Sequence, residues 1–215
     1  MSFWPFPNNL AELLQAAAVR GPLVEIGAGE GPLARRLREI GVPTIELDLA
    51  PVPRRPGVAQ LRADAAALPW TALRGGVVLG NCVRHWPGPR RIAAVREIWR
   101  SLDRGAIAAV FEDDPAAGDE AEDNYREALR LLADADPSRG VALGLEEFAA
   151  SVRPIWGEPE AVIHARNAEN VADPMAPLRW LRARGTGPRL ERLESAVARH
   201  GMAYGAYWSA IWRRP

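Results

Sequence analysis

Leu23-Val24-Glu25-Ile26-Gly27-Ala28-Gly29-Glu30-Gly31 is an apolar run broken by one acid and closed by three glycines. A short apolar stretch bounded by turn residues fits a buried strand. Glycine lets the backbone turn sharply and approach a ligand without a Cβ clash. Pro32 to Glu39 then reads as a helix, and proline suits a first turn, where no N–H is needed. The free amides of that turn point at whatever occupies the glycines, which suits a nucleotide-like ligand.

Strands and helices alternate outward from this segment. A short helix is expected near Leu10 to Val19, strand one at Pro22 to Ile26, and a helix from about Gly31 to Glu39. Gly41 and Pro43 break the chain before strand two, Thr44 to Leu49, and a third short strand ends near Asp64. Strand four is Gly76 to Gly80. A helix covers about Arg90 to Leu102, with Ile92, Val95, Ile98, Trp99 and Leu102 at helical spacing. Asp103-Arg104-Gly105 turns into strand five, Ala106 to Phe111. Glu112 to Asp123 is acidic and poor in apolar residues. It reads as a solvated loop without metal-ligand spacing, leading into a helix at Tyr125 to Leu132. Pro159 to His164 reads as strand six, Leu178 to Ala183 and Arg189 to His200 as helices, and Tyr204 to Trp212 as a closing strand. Strands separated by helices imply a parallel sheet with right-handed crossovers, whose ligands sit beyond the carboxyl ends of the strands.

The chain has 215 residues, enough for one domain with its own core. Its formal net charge is zero, so no nucleic-acid field is expected. All 27 basic residues are arginine, a side chain well matched to carboxylates. Cys82 is the lone cysteine, which excludes an internal disulfide. It reads as a small buried hydrophobe. Met1 to Asn9 shows no charged segment followed by an apolar one, and no apolar run is long enough to span a bilayer. A soluble cytoplasmic protein is expected.

Dinucleotide folds favour G-x-G-x-x-G, whereas the third glycine here comes one residue early, with Glu25 two positions before the first. The pattern resembles motif I of class I S-adenosylmethionine-dependent methyltransferases. That resemblance implies one α/β domain over residues 1–215. Its sheet would be Rossmann-like, seven-stranded and mostly parallel, with helices on both faces and a small helical insertion between the late strands. Residues 1–20 would form a short lid, and 112–158 and 166–200 the substrate-side helices. Glu25, Gly27, Ala28, Gly29 and Gly31 would hold the methionyl end of the cofactor. Glu46-Leu47-Asp48-Leu49-Ala50-Pro51 ends strand two, so Asp48, with Leu49 beside it, stands where the family grips both ribose hydroxyls. A fork of two acceptor oxygens suits a vicinal diol. Ala63-Asp64-Ala65 resembles the adenine segment, which places Asp64 and Ala65 at the base. Asn81-Cys82-Val83-Arg84-His85-Trp86 follows strand four, where cofactor and substrate meet. Gly75-Gly76 replaces the Asp that often opens strand four.

Further segments resemble the malonyl-acyl-carrier-protein O-methyltransferases of biotin synthesis: Asn81 with His85-Trp86, Tyr125-Arg126-Glu127-Ala128-Leu129, the stretch from Asp173 through Leu178-Arg179-Trp180 to Gly187, and Tyr204-Gly205-Ala206-Tyr207-Trp208. The resemblance implies methyl transfer to a carboxylate such as malonyl on acyl-carrier protein. Arg126 would orient the carboxylate, with Arg179 and His85 as further catalytic candidates. Asn81 and Trp86 would line the cofactor site. About twenty residues precede strand one, fewer than in the family, and Phe3, Trp4 and Phe6 would supply a reduced lid. Glu112-Asp113-Asp114 stands where the family has Ser-Thr-Phe, adding negative charge beside that carboxylate. Arg179, Arg182, Arg184, Arg189 and Arg192 cluster within a short span and are read as a basic patch with Glu191 as the only nearby acid. They form either a solvated face or a patch for an acidic carrier. A methyltransferase for a free small molecule and a catalytically silent cofactor-binding module are the alternatives.

Overall fold

The computed structural model describes Leu14, Val19 and residues 21–51, 54–115, 118–166, 170–185 and 187–215. The helix expected near Leu10 to Val19 lies outside these residues except for Leu14 and Val19, as do Phe3, Trp4 and Phe6.

Seven strands make one sheet: β1 Leu23–Ile26, β2 Thr44–Asp48, β3 Gln60–Arg62, β4 Gly76–Gly80, β5 Ile107–Asp113, β6 Ala161–Arg166 and β7 Ala206–Arg213. Their order is β3-β2-β1-β4-β5-β7-β6. β7 alone runs antiparallel to its neighbours, so the sheet is mostly parallel as expected. Strand order reverses between β1 and β4, the crevice where such folds take ligands. The helices are α1 Pro32–Glu39, α2 Gly88–Ser101, α3 Glu120–Ala135, α4 Leu145–Trp156, α5 Met175–Arg182 and α6 Pro188–His200.

Alternation along each strand divides the core between two faces. Val24, Ile26, Val77, Leu79, Ala108 and Val110 meet α2 and α4 on one side, where Phe148, Val152 and Trp156 of α4 are buried. Leu23, Val78, Ile107 and Ala109 meet Leu33 and Leu37 of α1 and Leu14 on the other. Trp99 and Trp156 stack at 5.6 Å, and Phe148 lies 5.6 Å from Trp208. Two buried indole N–H groups of this cluster are satisfied: Trp156 donates to the Val95 carbonyl at 2.9 Å and Trp208 to Leu143 at 2.8 Å. A third cluster joins α3 to α5 and α6 through Tyr125, Leu132, Leu178, Leu190 and Leu193. The last two helices are the insertion expected between the late strands.

Element ends shift by a few residues from the sequence reading, and two differences matter. β5 continues through Glu112 and Asp113, because β7 pairs with it through Glu112↔Trp208 and Asp113↔Tyr207. The solvated-loop reading of the acidic run is therefore wrong at its start. Glu112 is fully buried, and Glu122 is buried in the first turn of α3 against Arg166 at 2.6 Å. The sequence reading also missed helix α4. Phe148, Ala149, Val152 and Trp156 recur at helical spacing on its buried face.

The Gly75-Gly76 opening of β4 has a steric cause. A Cβ at Gly75 would stand 1.9 Å from the Pro22 carbonyl oxygen, and one at Gly76 2.4 Å from that of Ile107. Side chains there would push β4 away from both neighbours. Gly75→Ala is expected to cost about 3 kcal/mol or more, measured by urea unfolding, because the clash is with backbone that cannot swing aside. A change within ~0.5 kcal/mol would show that the strands relax freely.

Candidate functional site

Beyond β1 the chain turns through Gly27, Gly29 and Gly31, at φ 75°, 51° and 66°. The Gly27 and Ala28 amides donate to the Leu47 carbonyl at 2.8 and 3.1 Å, holding the turn to β2. A Cβ on Gly27 would lie 2.7 Å from that of Cys82, so this position tolerates only glycine. A Cβ on Gly29 would meet nothing within 4 Å. The turn is thus packed beneath Gly27 and open above Gly29.

Two buried carboxylates hold the turn from below. Glu25 accepts the Ala34 amide of α1 at 2.8 Å. Burial pushes its carboxyl up to about 8 against the opposing pull of that amide. Glu46, with no exposed surface, accepts Arg38 at 3.1 Å, Gln60 at 3.0 Å and the Arg55 guanidinium. Arg55 also donates to the Glu30 carbonyl, so residues after β2 are drawn across the glycine turn.

Asp48 ends β2 facing that turn. Its Oδ2 accepts the Gly29 amide and its Oδ1 the Ala50 amide, both at 2.8 Å. Each carboxylate oxygen has two acceptor positions, so one remains on each. Leu49 beside it is 49% exposed. Past β3, Asp64 accepts the Ala66 amide at 3.0 Å and Arg90 at 3.1 Å, and Ala65 is buried.

The segment after β4 is tied to the end of β5. Asn81 takes φ 51°, a left-handed conformation that asparagine tolerates better than most side chains. Its amide donates to the Phe111 carbonyl at 2.8 Å, and its Oδ1 accepts the Asp113 amide at 3.2 Å and Arg84. Glu112 accepts the Val83 amide at 3.0 Å and Arg84 Nε at 2.9 Å, and Arg84 also reaches Asp113 at 2.8 Å. Burial pushes the Glu112 carboxyl up to about 7, with Arg84 opposing. Burial also works against the charge on Arg84, but Glu112 and Asp113 outweigh it and raise its pKa. The Cys82 thiol is pushed up by burial and then by Glu112, which fits an inert packing residue.

Two spaces adjoin this rim. A cleft of about 650 Å³ lies between His85, Trp86 and Arg91 on one side and Pro137, Ser138 and Val141 on the other. His85 Nδ1 is 2.9 Å from the Ser138 carbonyl, which can only accept, so that nitrogen carries the proton. Burial, Arg84 and Arg139 lower the His85 pKa, which keeps the ring neutral. A small cavity of about 40 Å³ opens beyond β5, lined by Asp113, Tyr125, Arg126, Val141 and Gly205. The Arg126 side chain is 7% exposed and pairs with Asp123. Its Nη1 is buried without a hydrogen-bond partner among the described residues. That nitrogen faces Gly205, where a Cβ would stand 3.4 Å away.

The structure therefore brings Gly29, Asp48, Leu49 and Asn81 to the carboxyl ends of the central strands, with His85, Trp86 and Arg126 around the adjoining spaces. It does not bring Arg179 there. That residue is exposed on α5 and paired with Asp173 at 2.5 Å. The statement that Glu191 is the only acid near the late arginines is also corrected. Arg182 binds Glu194 at 2.9 Å, and Arg189 binds Glu127 at 2.6 Å and Asp134 at 2.7 Å. Arg184 stacks 3.5 Å over Trp180. Sequence reasoning missed Arg84 and Glu112 as partners. The available signal was charge of opposite sign just past the ends of adjacent strands, since Gly80 pairs with Phe111.

No protein-family model and no curated protein sequence matches the chain. Many solved structures share its fold. BH2331 of Bacillus halodurans C-125, provisionally named a methyltransferase, is 18% identical over 97% of this chain and 100% of its own, with a TM-score of 0.67. A SAM-dependent methyltransferase of Archaeoglobus fulgidus is 13% identical over 96% and 91%, TM-score 0.60. The YcgJ protein of Bacillus subtilis is 17% identical over 97% and 99%, TM-score 0.59. The chain shares the Rossmann-like fold of these structures, and at such identities the likeness speaks to fold alone.

Glu25 gives this fold a pH signature. Between its ordinary 4.5 and about 8 the folded protein retains a proton that the unfolded chain has released. The stabilisation that this proton contributes therefore falls as pH rises through that window and is gone above it. The stability of wild type relative to Glu25→Gln is expected to drop by on the order of 4 kcal/mol from pH 4.5 to 8.5, by denaturant titration. A difference independent of pH would show that Glu25 is ionised in the fold.

Proposed function

We propose that the chain is an S-adenosylmethionine-dependent methyltransferase acting on a small carboxylate. The observation that carries the cofactor half is the pairing of open space above Gly29 with the Asp48 carboxylate, whose oxygens each keep one acceptor position. A ribose diol needs two acceptors side by side, and an exposed Leu49 next to them offers an apolar surface to an adenine ring. The residues present therefore fit an adenosyl group. Asp64 is proposed for the adenine amine, and Asn81 and Trp86 for the rim nearest the acceptor. Bound there, S-adenosylmethionine supplies a sulfonium methyl that is already electrophilic.

The acceptor half follows from Arg126. A buried guanidinium nitrogen without a partner is costly, and a carboxylate entering the adjacent cavity would satisfy it. Such an acid, with a pKa of about 4, is ionised at neutral pH and needs no base. The neutral His85 then lines the cleft rather than taking a proton. The residues of this rim contribute orientation and exclusion of water. Asp113 opposes a carboxylate least when Arg84 holds it, as it does here.

Malonyl carried on acyl-carrier protein, as in biotin synthesis, and a cytoplasmic setting remain proposals from the resemblance. The α5–α6 face gives a carrier protein little support, because Arg179, Arg182 and Arg189 are already paired with acids. That favours a carboxylate on a free small molecule. A silent binding module would bind cofactor and transfer nothing.

Asp48→Ala is expected to weaken binding of S-adenosylhomocysteine about 100-fold by calorimetry, through loss of two charge-assisted hydrogen bonds. Unchanged affinity would remove the ribose assignment. Labelled S-adenosylmethionine offered with malonyl-carrier protein, malonyl thioesters and free dicarboxylates tests the acceptor. Arg126→Ala should lower transfer to the active carboxylate roughly 100-fold with cofactor affinity kept. Equal transfer by the variant would free Arg126 from that role.

A further inference from the structure

We propose that Arg84 and Glu112 are positioning residues of the cofactor site, acting through the Asn81–Cys82 segment on the glycine turn. This inference rests on the methyltransferase reading. Neither residue faces the open space above Gly29. Their influence runs through four contacts. Glu112 takes the Val83 amide with one oxygen and Arg84 Nε with the other, fixing the turn Val83–His85 to the end of β5. Arg84 returns to Asn81 Oδ1, bracing the left-handed residue that redirects the chain after β4. Cys82, between those two anchors, is buried against Gly27, so its Cβ sets how low the first turn residue can sit.

The chain therefore links β5 to the floor of the glycine turn through buried Arg84, paired with Glu112 and also with the less buried Asp113. Arg84 has only 4% of its side chain exposed, and Glu112 none. A buried pair is a weak source of stability, since removing both charges together is often neutral. It does fix geometry, because a forked guanidinium with several fixed acceptors has one good arrangement. Conformational placement, rather than fold stability, is what this pair supplies.

The test uses the full chain and S-adenosylhomocysteine as probe. Arg84→Gln with Glu112→Gln removes both charges while keeping hydrogen-bonding side chains. This double variant is expected to keep its Tm within ~5 °C of wild type yet bind the probe about 10-fold more weakly by calorimetry. Arg84→Lys, which keeps the charge but loses the fork, should fold like wild type and lose roughly 3-fold. Val197→Ala, in the α3–α6 cluster far from the rim, serves as control. It should lower Tm while leaving affinity unchanged, so loss of binding cannot follow from loss of stability. Wild-type affinity in both Arg84→Lys and the double variant overturns the inference while leaving the methyltransferase reading intact. A wild-type chain that does not bind the probe overturns both.

Discussion

Three glutamate carboxyl groups taken out of water govern the upper rim of this sheet. Glu25, Glu46 and Glu112 lie on β1, β2 and β5, and none has more than 2% of its surface exposed. Each is costly to bury unless it finds donors. Each finds them in a different segment that must be held in place: Glu25 in the first turn of α1, Glu46 in Arg38 and Arg55, and Glu112 in the turn after β4. The desolvation of these acids is thus converted into loop geometry. The glycine turn, the crossing segment after β2 and the turn after β4 are all held to strand ends by the same device.

The arrangement leaves the functional rim with unequal tension. Asp48 is exposed enough to exchange partners and keeps acceptor capacity. Arg126 is the reverse, a buried cation with one nitrogen unsatisfied. On the proposed reading one side would receive hydroxyls and the other an anion, with the Asn81–Trp86 segment between them. Exposed arginines such as Arg179 and Arg189 are paired with acids, and such pairs are worth little individually in water. Chemical selectivity is concentrated where burial removes the screening.

Much of this was legible in the sequence where the signal is local. The glycine turn, the acid ending strand two and the alternation of strands and helices follow from short patterns whose meaning does not depend on distant partners. Asp48 and Asn81 fall where the spacing puts them. Several of the failures have their cause in long-range pairing. Glu112 looked like the start of a solvated run because its partner Arg84 lies 28 residues earlier. The late arginines looked unopposed because Glu127 and Asp134, 62 and 55 residues before Arg189, come from another helix. Helix α4 was missed although its apolar spacing was readable. Orphaned Arg126 Nη1 has no sequence signature, since an unmet hydrogen bond is a property of packing.

The position of β7 carries one more consequence, for assembly. It is last in chain order yet lies inside the sheet, zipped to β5 along seven residue pairs and to β6 along six. Until it arrives, β5 presents a bare hydrogen-bonding edge, with nearly one hundred residues of intervening chain still to be gathered in. Contacts that close so long a loop form slowly. The arrival of this final strand therefore closes the sheet and removes the edge at which another chain could pair.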